Sequence, residues 1–266
     1  MYLEYWGLDR FPFDDVADER FFFRSREIDT VAEDLHEAVV RRRGLAVLIG
    51  EIGCGKTTVC QHVLLQLPET RYRIVWITNA RLGPGEMLVE IGTQLGLEIS
   101  GRDRNAMLEQ LRRHMVDNVR SDRDTVVCID EAQTIPANET FEELRLLLNF
   151  QLANRFLVTL LFIGQPELQR MIAQLPQLQQ RVALNLHLGR YSQEESTRYL
   201  LFRLRSAGCS RPILTRQAAT AVHRYTLGVP RRMNHMMDRC LALGARRGAR
   251  LIDRKLVEAT AQLYPC

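Results

Sequence analysis

A glycine-rich segment with one lysine is the part of this sequence that could do the most definite chemistry. Residues 50–58 match the pattern G-x-x-x-x-G-K-[ST], in which the backbone N–H groups of a loop converge on phosphate oxygens. Lys56 stands at the lysine position, in a chain that has 34 arginines and two lysines. Its ammonium is a compact point charge that suits bridging phosphate oxygens. The segment therefore predicts a nucleotide-binding P-loop.

Different residues of this loop are expected to contact the phosphates and the metal ion. Lys56 is expected to reach the β- and γ-phosphates, and the hydroxyl of Thr57 is expected to bind Mg²⁺. An apolar run at 45–49 precedes the loop and a helical pattern at 57–67 follows it, which is the strand–loop–helix setting that a P-loop requires. The predicted nucleotide-binding residues are Gly50, Glu51, Ile52, Gly53, Cys54, Gly55, Lys56, Thr57 and Thr58.

Two adjacent carboxylates at the end of an apolar strand are the second chemical feature. Residues 125–129 form the strand pattern, and Asp130 and Glu131 follow it directly. This segment resembles a Walker B motif, in which Asp130 would hold Mg²⁺ and Glu131 would act as general base on the attacking water. On their own such carboxylates are common solvated turn residues. With the P-loop upstream they predict hydrolysis of a nucleoside triphosphate.

The elements around these residues alternate between strands and helices. Further strands are predicted at 73–78, 156–163 and 184–188, and further helices at 28–43, 85–95 and 106–119. Short apolar strands that alternate with helices form a parallel sheet covered on both faces. We therefore expect an α/β fold of the P-loop hydrolase type, with a five-stranded parallel sheet.

From about residue 191 the pattern is helical only. The predicted helices are 193–206, 215–225, 231–247 and 253–263, and Ser192, Thr215 and Asp253 are candidate N-caps. We expect a nucleotide-binding α/β domain at 1–190 and a small all-α lid domain at 191–266.

The first 24 residues contain 8 of the 19 aromatic residues of the chain. The stretch 11–15 reads as an extended, turn-rich lead because it combines Pro12 with two aspartates. Either this aromatic lead packs as an apolar strap over the main core, or part of it walls the adenine. The sequence leaves both alternatives open.

The net charge of +4 hides an uneven distribution. Residues 1–40 carry 4 arginines and 11 acidic residues, a net charge of −7, whereas residues 191–266 carry a net charge of +9. The asymmetry fits a solvated surface in an arginine-rich chain. It also fits a basic face for nucleic acid or acidic lipid, or complementary ends that dock subunits head to tail.

The cysteines and the apolar runs indicate a cytoplasmic protein. Six cysteines, the last of them Cys266, show neither a C-x-x-C pair nor a zinc-site spacing, so we expect them to be reduced and mostly buried. The longest apolar run, 156–163, is far shorter than a membrane span. The N-terminus begins without a basic region ahead of an apolar one, so no signal peptide is expected.

Several segments, in order along nearly the whole chain, resemble the ExeA/GspA-like AAA+ ATPases. They are YLE at 2–4 with Gly7-Leu8 and Pro12-Phe13, GEIGCGKTT at 50–58, IDEAQ at 129–133, LRLLLN at 144–149, IGQPEL at 163–168, LQQRV at 178–182 and GVPRRMN at 228–234. The sequence departs from the family at Cys54, where a small hydroxyl residue is more usual. That change alters a side chain but spares the backbone donors of the loop.

The resemblance implies an AAA+ fold, ATP and Mg²⁺ as ligands, and three further site residues. Gln165 follows the fourth strand, where the family places a residue that senses the γ-phosphate. Arg231 opens a helix in the sensor-2 motif of the lid, and Arg232 is its near alternative. Arg181 takes the place of an arginine that enters a neighbouring subunit's site, with Arg170 and Arg190 as alternatives.

The resemblance also implies a homo-oligomer, a ring or a filament, and leaves the driven process open. The family's namesakes act in type II secretion, with a membrane span and a peptidoglycan-binding region after the ATPase, and this sequence has neither. Short relatives look like accessory ATPases of pilus or exopolysaccharide systems, with protein partners. Others, of the TnsC/TniB kind, bind double-stranded DNA and recruit a transposase. A nucleotide switch that hydrolyses slowly is a third alternative.

Overall fold

Two compact units make up the chain. The structure, a computed structural model, describes residues 2–15, 18–99, 103–152 and 155–264, so Cys266 lies outside the described residues. The sheet unit comprises Glu27–Glu51 and Val59–Leu188. The helical unit comprises Met1–Arg26, Ile52–Thr58 and Gly189–Cys266. The predicted domain boundary near residue 190 stays a prediction.

A five-stranded parallel sheet forms the centre of the sheet unit, in the order β2-β3-β6-β1-β7. Every residue of β1, β3 and β6 is buried, as expected for strands that helices cover on both faces. The strands are β1 Leu45–Gly50, β2 Tyr72–Ile77, β3 Asp124–Ile129, β4 Gln151–Leu152, β5 Arg155–Phe156, β6 Val158–Gly164 and β7 Val182–Leu188. The predicted α/β fold is confirmed, and β4 and β5 add a short antiparallel pair that we did not predict.

The strand register brings three chain segments to one edge of the sheet. Ile49 of β1 lies opposite Gly164 of β6, and Ile129 of β3 lies opposite Phe162. Because parallel strands end on the same side, the residues that follow β1, β3 and β6 leave the sheet at the same edge. These are the start of the glycine-rich loop, the carboxylate pair and Gln165.

The helices beside the sheet include three that the sequence did not predict. The helices are α2 Arg26–Val40, α3 Lys56–Leu65, α4 Pro84–Gln94, α5 Arg104–Arg120, α6 Asn138–Leu147, α7 Pro166–Ala173 and α8 Pro176–Gln179. Of these, α6, α7 and α8 have no counterpart in the sequence prediction. One contact between α3 and the sheet joins two fully buried cysteines, Cys60 and Cys128, whose Sγ atoms lie 3.7 Å apart. Burial raises the pKa of the Cys128 thiol well above its usual value, so it stays protonated and inert.

Five helices form most of the helical unit. They are α1 Tyr2–Trp6, α9 Gln193–Ser206, α10 Arg216–Thr226, α11 Pro230–Arg246 and α12 Arg254–Leu263. The predicted caps are confirmed: Ser192, Thr215 and Asp253 each accept a hydrogen bond from a backbone N–H in the first turn of the helix that follows. Within the described residues, no helix is both long enough and apolar enough to cross a bilayer.

The aromatic lead belongs to the helical unit, where Trp6 packs on α11. Trp6 is completely buried in α1, a helix that the sequence did not predict, and its indole N–H donates to the carbonyl of Leu241 at 2.8 Å. Gly244 allows this approach, because a Cβ at that position would lie 2.8 Å from Cζ2 of Trp6. The alternative of an apolar strap is therefore favoured for Trp6, although its partner is α11 rather than the sheet.

Candidate functional site

The glycine-rich loop has a backbone that can hold phosphates. Gly53 and Gly55 have φ angles of +80° and +96°, a region that suits glycine and turns successive N–H groups toward one point. Helix α3 begins at Lys56, so the positive end of its dipole faces the loop. These features fit a triphosphate.

The side chains of the loop divide into buried and exposed groups. Lys56 is only 5% exposed, and a buried ammonium requires anionic or polar partners. Cys54 is buried as well, and Thr57 is half-buried, whereas Glu51, Ile52 and Thr58 are exposed. Glu51, Ile52 and Thr58 can therefore contribute backbone groups, and the phosphate role of Lys56 and the Mg²⁺ role of Thr57 stay predictions.

Arg231 is anchored to the loop within the helical unit. It lies in the first turn of α11, and its backbone N–H donates to the carbonyl of Gly53 at 3.2 Å. A Cβ added to Gly53 would lie 2.9 Å from Cβ of Arg231, so the two backbones are in close contact. This contact satisfies one helix N-terminal donor that would otherwise lack a partner. It also distinguishes Arg231 from Arg232, since Arg231 is the one packed on the loop.

The carboxylate pair follows β3 in a strained conformation. Asp130 is buried, and one of its side-chain oxygens accepts a hydrogen bond from the backbone N–H of Glu131 at 2.9 Å. Glu131 has φ 49° and ψ 39°, the left-handed region that non-glycine residues seldom adopt. Such strain costs about 1–3 kcal/mol and clusters at functional sites. The conformation sets the direction in which the Glu131 side chain leaves the strand.

Two glutamine side chains hold the carboxylate of Glu131. Oε2 of Glu131 accepts from Nε2 of Gln133 at 2.5 Å and from Nε2 of Gln165 at 3.2 Å. Gln165 directly follows β6 and stands immediately before α7, without a capping hydrogen bond from its side chain. The structure thus brings the side chains of Glu131 and Gln165 together, and the γ-phosphate role that the resemblance implied for Gln165 stays a prediction. Gln133 was not among the predicted site residues, although its amide lies two residues beyond the predicted general base, and that spacing is a signal that could have identified it.

Arg181 lies elsewhere in the sheet unit. It precedes β7, is half-buried, and donates from Nη2 to Oδ1 of Asn149 at 2.8 Å. Within the part of the chain that the structure describes, its side chain bonds to Asn149 rather than to Glu131 or Gln165. That placement leaves a role in a neighbouring subunit's site as a prediction.

Comparison with known proteins identifies the family. The model of the AAA domain family matches residues 40–172, which include the glycine-rich loop, the carboxylate pair and Gln165. The chain belongs to the AAA domain family. The sequence of this AAA protein is 35% identical to General secretion pathway protein A of Aeromonas hydrophila over 95% of the chain. The match spans 46% of that relative's length, about half.

Solved structures show the same fold. The ORC2 protein of Aeropyrum pernix, solved with ADPNP and ADP, superposes with a TM-score of 0.71 at 19% identity, covering 96% of this AAA protein and 71% of that chain. The Cdc6p protein of Pyrobaculum aerophilum superposes with a TM-score of 0.74 at 17% identity, covering 95% and 70% of the two chains. At these identities the likeness shows the fold alone.

Proposed function

We propose that this AAA ATPase binds ATP with Mg²⁺ in the cytoplasm and uses hydrolysis to drive protein partners of a secretion or pilus-type assembly system. The observation that most supports ATP binding is the geometry of the glycine-rich loop. Lys56 is buried at the start of a helix, and Gly53 and Gly55 before it have positive φ angles. The similarity to a General secretion pathway protein A supports the proposed role in a secretion or pilus-type assembly system.

Binding is assigned to the loop and the start of α3. The backbone N–H groups of residues 50–58 surround the phosphates, and the Lys56 ammonium neutralises charge on the β- and γ-phosphates. The Thr57 hydroxyl and the Asp130 carboxylate are oxygen donors of the kind that Mg²⁺ prefers, so these residues would hold the ion. When bound, Mg²⁺ supplies positive charge that neutralises charge developing on the phosphates.

Hydrolysis is assigned to the residues that follow β3 and β6. The Glu131 carboxylate accepts a proton from the attacking water, and its left-handed backbone fixes where that carboxylate points. The Gln165 amide contacts the γ-phosphate and reports its presence to Glu131 through the hydrogen bond between their side chains. Arg231 contributes positive charge from the first turn of α11, in a lid domain that we place at 191–266 after a nucleotide-binding domain at 1–190.

Oligomerisation leads to a prediction for Arg181. If Arg181 stabilises transition-state charge in a neighbouring subunit's site, Arg181→Ala lowers kcat by about 10³-fold or more while the affinity for ATP stays unchanged. Mixing this variant with Glu131→Gln then restores part of the turnover, because some sites combine an intact Glu131 with an intact Arg181. Phosphate release over a series of mixing ratios measures the recovery.

The alternatives Arg170 and Arg190 serve as controls for this experiment. Either one, changed to Ala, is expected to keep most of the turnover. Absence of recovery at every mixing ratio would contradict a shared site and assign Arg181 to its own subunit.

A second candidate function, binding of duplex DNA, is favoured by an arginine-lined cavity. A cavity of about 300 Å³ in the helical unit is lined by Arg216, Gln217, Thr220, Ala221, Arg224 and Arg254. The segments that lead into α10 and α12 pair in parallel at Leu214 and Ile252, so the two helices begin side by side. Arg254 and Arg224 lie 2.6 and 3.6 Å from Oε1 of Glu258, so the three guanidinium groups of the cavity keep a net positive charge beside two positive helix ends, which suits phosphate oxygens.

This candidate predicts a specific salt dependence. Arg216→Gln combined with Arg224→Gln removes two phosphate contacts, so the slope of log K against log salt for duplex DNA becomes less steep by about 2. The control pair Arg246→Gln and Arg247→Gln, on exposed residues at the end of α11, removes the same charge and leaves the slope nearly unchanged. Undetectable binding of the wild-type protein at low salt with ATP would exclude this function, and equal effects of the two pairs would exclude the cavity.

A further inference from the structure

The side-chain amide of Gln133 donates one hydrogen bond and accepts another. Its Nε2 donates to Oε2 of Glu131 at 2.5 Å, and its Oε1 accepts from the backbone N–H of Gln165 at 3.1 Å. One amide therefore connects the residue after β3 with the residue after β6. Because an amide has a distinct donor end and acceptor end, a side chain of the same length without both ends cannot make this connection.

The backbone of Gln133 is fixed by its own turn. Residues 132–134 form a single 3₁₀ turn after Glu131, and both the backbone N–H and the hydroxyl of Thr134 donate to the carbonyl of Glu131 at 2.8 Å. Ala132 and Ile135 on either side of the amide are buried. The conformational freedom left to Gln133 is therefore mainly rotation of its side chain. The two hydrogen bonds restrict that rotation.

The end of β6 leaves room for this amide. A Cβ at Gly164 would lie 2.7 Å from Oε1 of Gln133 and 2.7 Å from Cδ2 of Leu168, closer than packed atoms approach. Glycine at position 164, which has no Cβ, therefore lets Gln133 reach the backbone of Gln165. The approach depends on a contact between positions more than 30 residues apart in the sequence.

We infer that Gln133 is the positioning residue for the general base of this ATPase. It fixes one carboxylate oxygen of Glu131, which leaves Oε1 to meet the attacking water, and it ties that carboxylate to the strand end that carries Gln165. In this role Gln133 acts through its hydrogen bonds to Glu131 and Gln165 rather than directly on the nucleotide. The inference rests on the proposed role of Glu131 and adds to it the residue that holds Glu131 in place.

Two variants, compared in an ATPase assay on the full chain, distinguish the contribution of the Gln133 donor from that of its acceptor. Gln133→Glu keeps the length and the acceptor oxygen but loses the donor to Glu131, and Gln133→Leu loses both ends at similar size. Both are expected to lower kcat by about 10- to 100-fold, because small displacements of a reacting group have effects of that size. The KM for ATP and the affinity for a fluorescent ATP analogue stay within about twofold, since no group that binds phosphate is lost. Gln169→Glu, on an exposed residue of α7, is the matched control and leaves kcat unchanged.

A double-variant cycle shows whether Gln133 acts through Glu131. Gln133→Glu added to Glu131→Gln is expected to lower kcat no further, since the base that it positions is already absent. A raised KM with unchanged kcat, or losses that multiply in the double variant, would overturn the inference. If Glu131→Gln itself hydrolyses ATP normally, the proposed function fails first. If Glu131→Gln is inactive and Gln133→Glu is normal at an unchanged Tm, only the inference fails.

Discussion

Replacing Lys56 with alanine is expected to abolish turnover and to weaken ATP binding. Lys56 is buried at the start of α3, and in the proposed function its ammonium meets the β- and γ-phosphates. Loss of a charge-assisted hydrogen bond of this kind weakens ATP binding by about 10- to 100-fold. Loss of its share in transition-state stabilisation lowers kcat by at least about 10²- to 10³-fold, which together with the weaker binding leaves no measurable turnover. Equilibrium binding of a fluorescent ATP analogue and phosphate release measure the two effects.

Lys255 provides the matched control, because it is the other lysine of the chain and lies exposed on α12. Lys255→Ala removes the same charge and is expected to leave binding and turnover unchanged. Lys56→Arg keeps the charge but replaces a point charge with a planar fork, so it is expected to restore binding only in part. Normal turnover by Lys56→Ala would remove the loop from the catalytic site.

Glu131→Gln is expected to bind ATP at wild-type affinity and to hydrolyse it at least about 10²-fold more slowly. General bases contribute about 10²- to 10⁴-fold to rate, and an amide cannot take the proton. The substitution keeps the length of the side chain and the left-handed backbone at this position. Binding and single-turnover hydrolysis, measured on the same sample, separate the two steps.

Glu139→Gln is the control for that substitution, because Glu139 is an exposed residue in the first turn of α6. It makes the same chemical change in the same unit, and we expect full activity. Loss of ATP affinity in Glu131→Gln would instead mean that the carboxylate supports binding.

The sheet could be predicted because its strands are continuous apolar runs. Residues 45–49 and 125–129 are buried along their whole length, and a strand buried on both faces shows no alternation to misread. Helix α6 was missed although Phe141, Leu144 and Leu147 have helical spacing and are fully buried. Helix α1 has five residues, too few for a helical period to register.

The candidate site could be predicted only where its residues stand together in one short segment of the sequence. Lys56, Thr57, Asp130 and Glu131 stand in local patterns whose residue types specify phosphate, metal and water chemistry. The link from Gln133 to Gln165 depends on two strand ends meeting in the sheet, and the sequence alone does not give that register.

Phosphate release by the wild-type protein, with and without Mg²⁺ and beside Lys56→Ala, tests most directly whether this chain hydrolyses ATP at its glycine-rich loop. The account predicts steady release that requires Mg²⁺ and that Lys56→Ala abolishes. Release that continues at the wild-type rate in Lys56→Ala, or a wild-type protein that binds ATP with Mg²⁺ and releases no phosphate at any protein concentration, would contradict it.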